Sequence, residues 1–153
     1  MPSRKKRKPP DDELLGRDTK TFTIQNDDWP LIFRRPRGDV CYEEMYLLGH
    51  LIRHRKRVWK SLHPTDKKRN RFSFSVRVME RYTHVAGRKQ TDILNKLKAR
   101  GYIKFYNDKL RWRKLEDGTW VERARQDDVR WIEIDDDALL RDLRTARNER
   151  NTQ

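Results

Sequence analysis

The chain has 153 residues, 41% of them charged and only 34% apolar, which excludes a large core and suits one small domain with polar flanks. Its single cysteine, Cys41, excludes an intramolecular disulfide and a cysteine-based zinc site and fits a reducing compartment, and no apolar run approaches the ~20 residues of a membrane span. The net charge of +14 is concentrated between Arg53 and Lys114, where 21 Lys or Arg face four acids; such a block repels itself, and a polyanion, nucleic acid above all, relieves the repulsion.

In chain order, residues 1–20 hold the basic run Arg4, Lys5, Lys6, Arg7 and Lys8, then Pro-Pro and acids. This composition predicts a disordered arm that grips phosphates, serves as a nuclear import signal or acts only as a solubilising tail. No hydrophobic stretch follows the basic start, so it is not a secretory signal. Thr21–Gln25 reads as a short strand, and Trp29–Phe33 as an apolar packing segment in which Pro30 argues against a central strand. Asp39 is the expected N-cap of a helix from Val40 to Ser61, with a buried stripe at Met45, Leu48, Leu51, Ile52, Val58 and Trp59. Arg53, Arg55, Lys56, Arg57 and Lys60 crowd its C-terminal half, where cations suit the helix dipole. His50 and His54, one turn apart and expected to be exposed, make half a metal site with no third ligand near in sequence. Leu62–Arg71 reads as a polar basic loop, with Pro64 stopping the helix.

Ser73 or Ser75 can cap a short helix, Val76–Thr83, buried through Val78, Met79 and Tyr82. His84–Gly87 is a turn. A helix from Arg88 to Arg100 follows, buried at Gln90, Ile93, Leu94 and Leu97 and ended by Gly101. Tyr102–Tyr106 and Lys109–Lys114 read as a hairpin around an Asn107-Asp108 turn, with Lys109, Arg111 and Arg113 on one face and Leu110 and Trp112 on the other. Glu116-Asp117-Gly118 is a further turn, Thr119–Arg123 a further strand, and Val129–Ile134 a half-buried strand. Asp135–Asp137 cap a last helix, from Ala138 to about Asn148, anchored by Ala138, Leu139, Leu140 and Leu143. Its acids are an ordinary helix N-terminus rather than a cation site.

The stretch SVRVMERYTHVAGRKQTDILNKLKARGYI (Ser75–Ile103) resembles the winged helix-turn-helix family of bacterial and phage DNA-binding proteins. Leu94, Leu97, Gly101, Tyr102 and Ile103 match the pattern L-x-x-L-x-x-x-G-[YLF]-I that closes the recognition helix, and Met79 and Val85 fit packing positions before it. From Cys41 to Lys114 the organisation is similar to the N-terminal domains of phage and plasmid replication proteins. The chain departs from the family at His84, where Gly is usual, at Ala86, where Ser or Thr caps the helix, and at Gln90, usually apolar. The resemblance implies an α+β winged helix-turn-helix, a three-helix core plus a β-hairpin wing, with an added C-terminal strand and helix. The expected organisation is a basic arm over 1–20, a DNA-binding domain over 21–134, and a C-terminal helix and tail over 135–153.

The second helix of such a motif enters the major groove. The expected base readers are Arg88, Lys89, Thr91 and Asn95, Arg or Lys suiting guanine and Asn adenine. Asp92 contacts a base amino group or orients Arg88 or Lys96. Arg71, Arg77, Lys96, Lys98, Lys109, Arg111 and Arg113 are expected on the phosphate backbone. Many winged helices dimerise through terminal helices, which makes Leu139, Leu140 and Leu143 candidates for a partner contact. No phosphate loop, nucleophile elbow or Ser/His/Asp arrangement appears, so the expectation is a non-enzymatic duplex-DNA binder without metal, cofactor or membrane partner. It would act as a transcriptional regulator or a replication or maintenance factor, cytoplasmic and nucleoid-associated, or nuclear in a eukaryotic host. The alternatives are an RNA-binding protein, stacking bases on Tyr102, Phe105 and Tyr106, or an inhibitor or adaptor that uses the acidic C-terminal segment.

Overall fold

The computed structural model describes residues 29–35 and 38–152. The segment 1–20 with its basic run Arg4–Lys8, and the expected strand Thr21–Gln25, lie outside the described residues. The elements in order are α1 (Trp29–Ile32), α2 (Tyr42–Val58) extended by a 3-10 turn (Trp59–Ser61), α3 (Pro64–Lys68), β1 (Arg71–Ser73), α4 (Val76–Thr83), α5 (Gly87–Ala99), β2 (Ile103–Lys114), β3 (Trp120–Ile134) and α6 (Asp136–Thr152). The fold is α+β, with one antiparallel three-stranded sheet in the order β1-β3-β2.

α2 is the central helix. Besides Met45, Leu48, Leu51 and Ile52, it buries Leu47, Gly49 and His54, because α1, α4, α5 and the sheet surround it. Its N-cap is Cys41 rather than Asp39, whose carboxylate instead pairs with Arg35 at 3.2 Å. The buried Cys41 sulfur accepts from Arg35 Nε at 3.0 Å. Trp59 does not extend the stripe and stands partly exposed. Pro64 ends one helix and begins another: it takes the first turn of α3, whose N-cap His63 accepts from the Thr65 amide at 3.1 Å.

Phe72, Ile132 and Phe105 align across the three strands, and Ile103 faces Ile134. They pack on Ile93, Leu94 and Leu97 of α5 and Leu48 and Leu51 of α2. Leu139, Leu140 and Leu143 of α6 join this same core. The C-terminal helix is thus part of the core, and the expectation that these leucines meet a partner chain is corrected: they are engaged in packing within the fold. α6 also runs on to Thr152 instead of ending near Asn148.

The hairpin differs from the expected one. β2 does not turn at Asn107-Asp108; it continues to Lys114, with a register break between Asp108 and Leu110. The reversal is at Leu115–Thr119, where Leu115 donates to the Thr119 carbonyl (2.8 Å) and Asp117 Oδ1 accepts from the Thr119 amide (2.9 Å). Short polar segments had suggested separate strands, and pairing along one long β3 merges them.

His54 is buried rather than exposed. Its ring stacks on Phe74 with centroids 3.8 Å apart. Nε2–H donates to the Ser73 carbonyl and Nδ1 accepts from Arg57 Nη2, both at 3.3 Å. Burial, then the Arg57 charge, push its pKa down to about 4.

Two outcomes follow from this packing. Leu143→Ala lowers unfolding free energy by about 2–5 kcal/mol in urea titrations, because the leucine is fully buried in the shared core. Below the usual histidine pKa the unfolded chain binds a proton that His54 refuses, so stability falls as pH drops from 6.5 towards 4. This residue accounts for about 2–3 kcal/mol of that loss by pH 4.5, and the slope over this window flattens in His54→Asn.

Candidate nucleic-acid interface

The presentation of α5 begins with α4. Ser75 caps α4, its Oγ accepting from the Val78 amide at 3.2 Å. At the other end Thr83 Oγ1 donates to the Met79 carbonyl (2.7 Å) and accepts from the Val85 amide (3.2 Å). His84, where the resemblance expects Gly, nonetheless takes the left-handed conformation, with φ 59°, and its N–H reaches the Glu80 carbonyl. Gly87 then lets α5 start in contact with α4, since a Cβ there would lie 3.0 Å from Val76 Cγ1. Ala86, at the N-cap, supplies no side-chain acceptor.

Gln90 secures the helix entry by other bonds. Fully buried, its Nε2 donates to the carbonyls of Val85 (2.8 Å) and Val76 (3.1 Å). Its Oε1 accepts from Arg130 Nη2 at 3.0 Å, and Arg130 Nε donates to the Phe74 carbonyl at 3.0 Å. A polar residue at a usually apolar position is thus matched by a second polar residue from β3. Arg130 has no ion pair among the described residues, and burial pushes its pKa down to about 10, so it remains charged at neutral pH. The C-terminal end of α5 is fixed as firmly: Gly101, at φ 82°, closes the helix, and Arg100 donates to Glu44 (2.7 Å) and to the Ile32 carbonyl (3.2 Å). Burial opposes the charge on Glu44, but hydrogen bonds from Arg100 and Cys41 outweigh it and hold the carboxyl below its usual range.

With Gln90, Ile93, Leu94 and Leu97 inward, α5 turns Arg88, Lys89, Thr91, Asp92, Asn95, Lys96 and Lys98 outward. The side chains of Arg88 and Asn95 hold no hydrogen bond or ion pair among the described residues. Lys89 differs from its neighbours in pairing with Glu43 of α2 at 3.1 Å, and Thr91 Oγ1 bonds back to the Gly87 carbonyl. Lys98 lies on the flank towards β2, its ammonium 5.5 Å from the Phe105 ring. Arg77 is exposed on α4. Lys109 stands at the register break of β2, and Arg111 and Arg113 belong to the outer half beyond it.

Arg71 is a correction. It is buried, salt-bridged to Asp66 at 2.7 Å, and stacked 4.1 Å above the Trp131 ring. Together with Arg69, Tyr106 and Glu133 it closes the sheet face turned away from the core helices. Nor do the three aromatics form an open stacking platform: Tyr102 is buried and donates to Asp142 (2.6 Å), Phe105 packs on the core, and Tyr106 receives hydrogen bonds from Arg69 and Arg71. Tyr82, expected to be buried, is instead exposed with the Arg57 guanidinium 4.2 Å above its ring. Sequence reasoning missed Arg130; the signal was the departure at Gln90, a buried amide that needs partners.

Among the described residues no group of three or more His, Cys, Asp or Glu could hold a metal ion, and no helix is long and apolar enough to cross a membrane. In sequence comparison, no family model and no curated protein matches the chain.

The Gln90–Arg130 pairing has a measurable signature. Gln90→Leu strands a buried guanidinium and two carbonyls and lowers stability by about 1–3 kcal/mol. Arg130→Met does likewise, and the double variant costs less than the sum, a coupling read from a double-mutant cycle in urea.

Proposed function

We propose that the chain is a non-enzymatic double-stranded DNA-binding protein on a winged-helix scaffold. In this reading α5 enters the major groove, and the β2–β3 hairpin lies along the backbone. The element order supports the scaffold: a long helix, the short helix α3, a short strand, two helices joined by a tight turn, then a hairpin whose second strand pairs with the first short one. The observation that carries the function is the outward face of α5. Arg88 and Asn95 hold no partner among the described residues, on a helix fixed at both ends by Gln90 and Arg100.

Arg88 and Asn95 are then the foremost base readers, with Thr91 and Asp92 between them. Lys89 contributes once its bond to Glu43 is exchanged for the polyanion. Lys96, Lys98, Arg77 and the outer strand residues Lys109, Arg111 and Arg113 hold phosphates. A regulator and a replication or maintenance factor use the same reading unit, and this surface serves either.

The test is selection from random duplex DNA, with single-stranded DNA and duplex RNA as competitors. A motif enriched in duplex DNA is expected; equal binding to all three, or a preference for RNA, overturns the reading. Arg88→Ala relaxes preference at one base pair and costs about 1–3 kcal/mol there. Lys96→Ala weakens all duplexes alike and reduces the slope of log affinity against log salt by about one.

A further inference from the structure

The outer side of α2 and the C-terminal end of α4 form a face that the proposed major-groove helix leaves unused. Tyr42, Tyr46, His50, Arg53 and Arg57 recur at intervals of three or four residues and so lie along one side of α2. At 1.5 Å per residue the row is roughly 22 Å long. His50 is half-buried and the other four are exposed. The Tyr46 and His50 rings meet edge to face, with centroids 4.6 Å apart. Burial, then the charges of Arg53 and Arg57, hold the His50 pKa below its usual range, which sets both guanidinium groups near that ring. Tyr82 of α4 joins the row, its ring 4.2 Å from the Arg57 guanidinium, and Tyr46 Oη donates to the neighbouring Thr83 carbonyl at 3.4 Å.

Composition sets this face apart from an ordinary solvated helix side. Its three tyrosines are 64% (Tyr42), 38% (Tyr46) and 46% (Tyr82) exposed. Arg57 covers one side of the Tyr82 ring and leaves the rest to solvent. Between Tyr46 and Lys60 the chain has no Asp, Glu, Asn or Gln. Arg53 accordingly holds no hydrogen bond or ion pair among the described residues. Arg57 is held in place by the His54 ring nitrogen at 3.3 Å, with no carboxylate to offset its charge. Of the nearest acids, Glu43 is engaged by Lys89, and Glu80, two residues before Tyr82, lies on the other side of α4. Flat rings interleaved with uncompensated guanidinium groups call for a partner that is both anionic and rich in π-faces.

We propose that this face binds single-stranded DNA. Bases stack on Tyr42, Tyr46 and Tyr82, and Arg53 and Arg57 hold the phosphates. A duplex keeps its bases stacked inside and offers these rings nothing, whereas every unpaired base presents a π-face. The carboxylate and amide acceptors that would reward a ribose 2′-hydroxyl are missing between Tyr46 and Lys60, so the fit is to DNA rather than RNA. The Glu43–Lys89 bond joins the tyrosine end of the row to the first turn of α5, so a strand seated on α2 lies beside the helix proposed to read the duplex.

The test uses the full chain and a fluorescein-labelled oligothymidylate of about ten nucleotides, within the range of single-strand site sizes, followed by anisotropy. Saturable binding is expected. Tyr42→Ala and Tyr82→Ala each weaken it about tenfold, the loss of one stacked base, whereas Tyr82→Phe keeps the ring and the affinity. Arg53→Gln lowers the slope of log affinity against log salt by about 0.7. These side chains are exposed, so Tm holds in every variant. Absence of saturable binding, binding that survives Tyr42→Ala and Tyr82→Ala combined, or tighter binding of an oligouridylate RNA of the same length overturns the proposal. So does competition by polyglutamate as effective as that by unlabelled oligothymidylate, which would make the face a seat for an acidic protein. Tyr82→Ala is expected to leave duplex affinity unchanged, and Arg88→Ala to leave single-strand affinity unchanged; if either variant weakens both, the face is part of the duplex surface and the proposal falls. The inference does not rest on the duplex reading, and failure of duplex selection leaves the oligothymidylate measurements as they are.

Discussion

Arg130 lies on the central strand of the sheet, buried and without a carboxylate partner among the described residues, so each of its donors must find a neutral acceptor. It finds the Phe74 carbonyl at the end of β1 and the Gln90 amide in the first turn of α5. Gln90 in turn holds the carbonyls of Val76 and Val85, one at the start of α4 and one in the turn after it. Sheet, α4, turn and α5 are therefore joined through a single guanidinium and a single amide. A hydrophobic contact at this point would tolerate rotation of α5 about its axis; directional hydrogen bonds do not. The direction in which Arg88 and Asn95 point follows from this constraint.

The same chain uses its cations in two ways. Arg55, Arg71, Arg100 and Arg130 are inside or half inside, each bonded to acids or carbonyls that the fold supplies. These are structural groups, and for Arg55, Arg71 and Arg100 a carboxylate within the protein offsets the charge. Arg88, Lys96 and Lys98 stand on an outer helix face with their heads in solvent. Arginine serves the first use because its planar fork meets two acceptors at once. The net positive charge between Arg53 and Lys114 therefore overstates the field available to a partner, and the exposed excess is shared between the outward face of α5 and the end of α2, where Arg53, Lys56, Arg57 and Lys60 are exposed.

Much of this was legible in the sequence. The 3.6-residue spacing of Gln90, Ile93, Leu94 and Leu97 named the inner face of α5 residue by residue, and Ser75 and Gly101 marked where helices begin and end. What periodicity could not show was burial by more than one neighbour. α2 and β3 are enclosed on several sides, so His54, Arg55 and Arg130 are interior although local pattern places them outside. Arg71 was misjudged for the same reason, since its partners Asp66 and Trp131 are fixed by chain reversal and strand pairing. The hairpin turn was misplaced because Asn-Asp is a strong local turn signal, whereas strand pairing is decided by the partner strand.

The long hairpin has a mechanical side. β1 supports β3 only at Trp131, Ile132 and Glu133, so the sheet is three strands wide at its root and two strands wide beyond the register break. Twelve residues of β2 reach about 40 Å when extended. An unsupported two-stranded ribbon is marginal in water, and a break in its ladder is a natural place to bend. The outer ribbon is thus a narrow arm on a wider root. A body that grips the arm meets the protein beyond the three-stranded root, where each strand has only the other beside it.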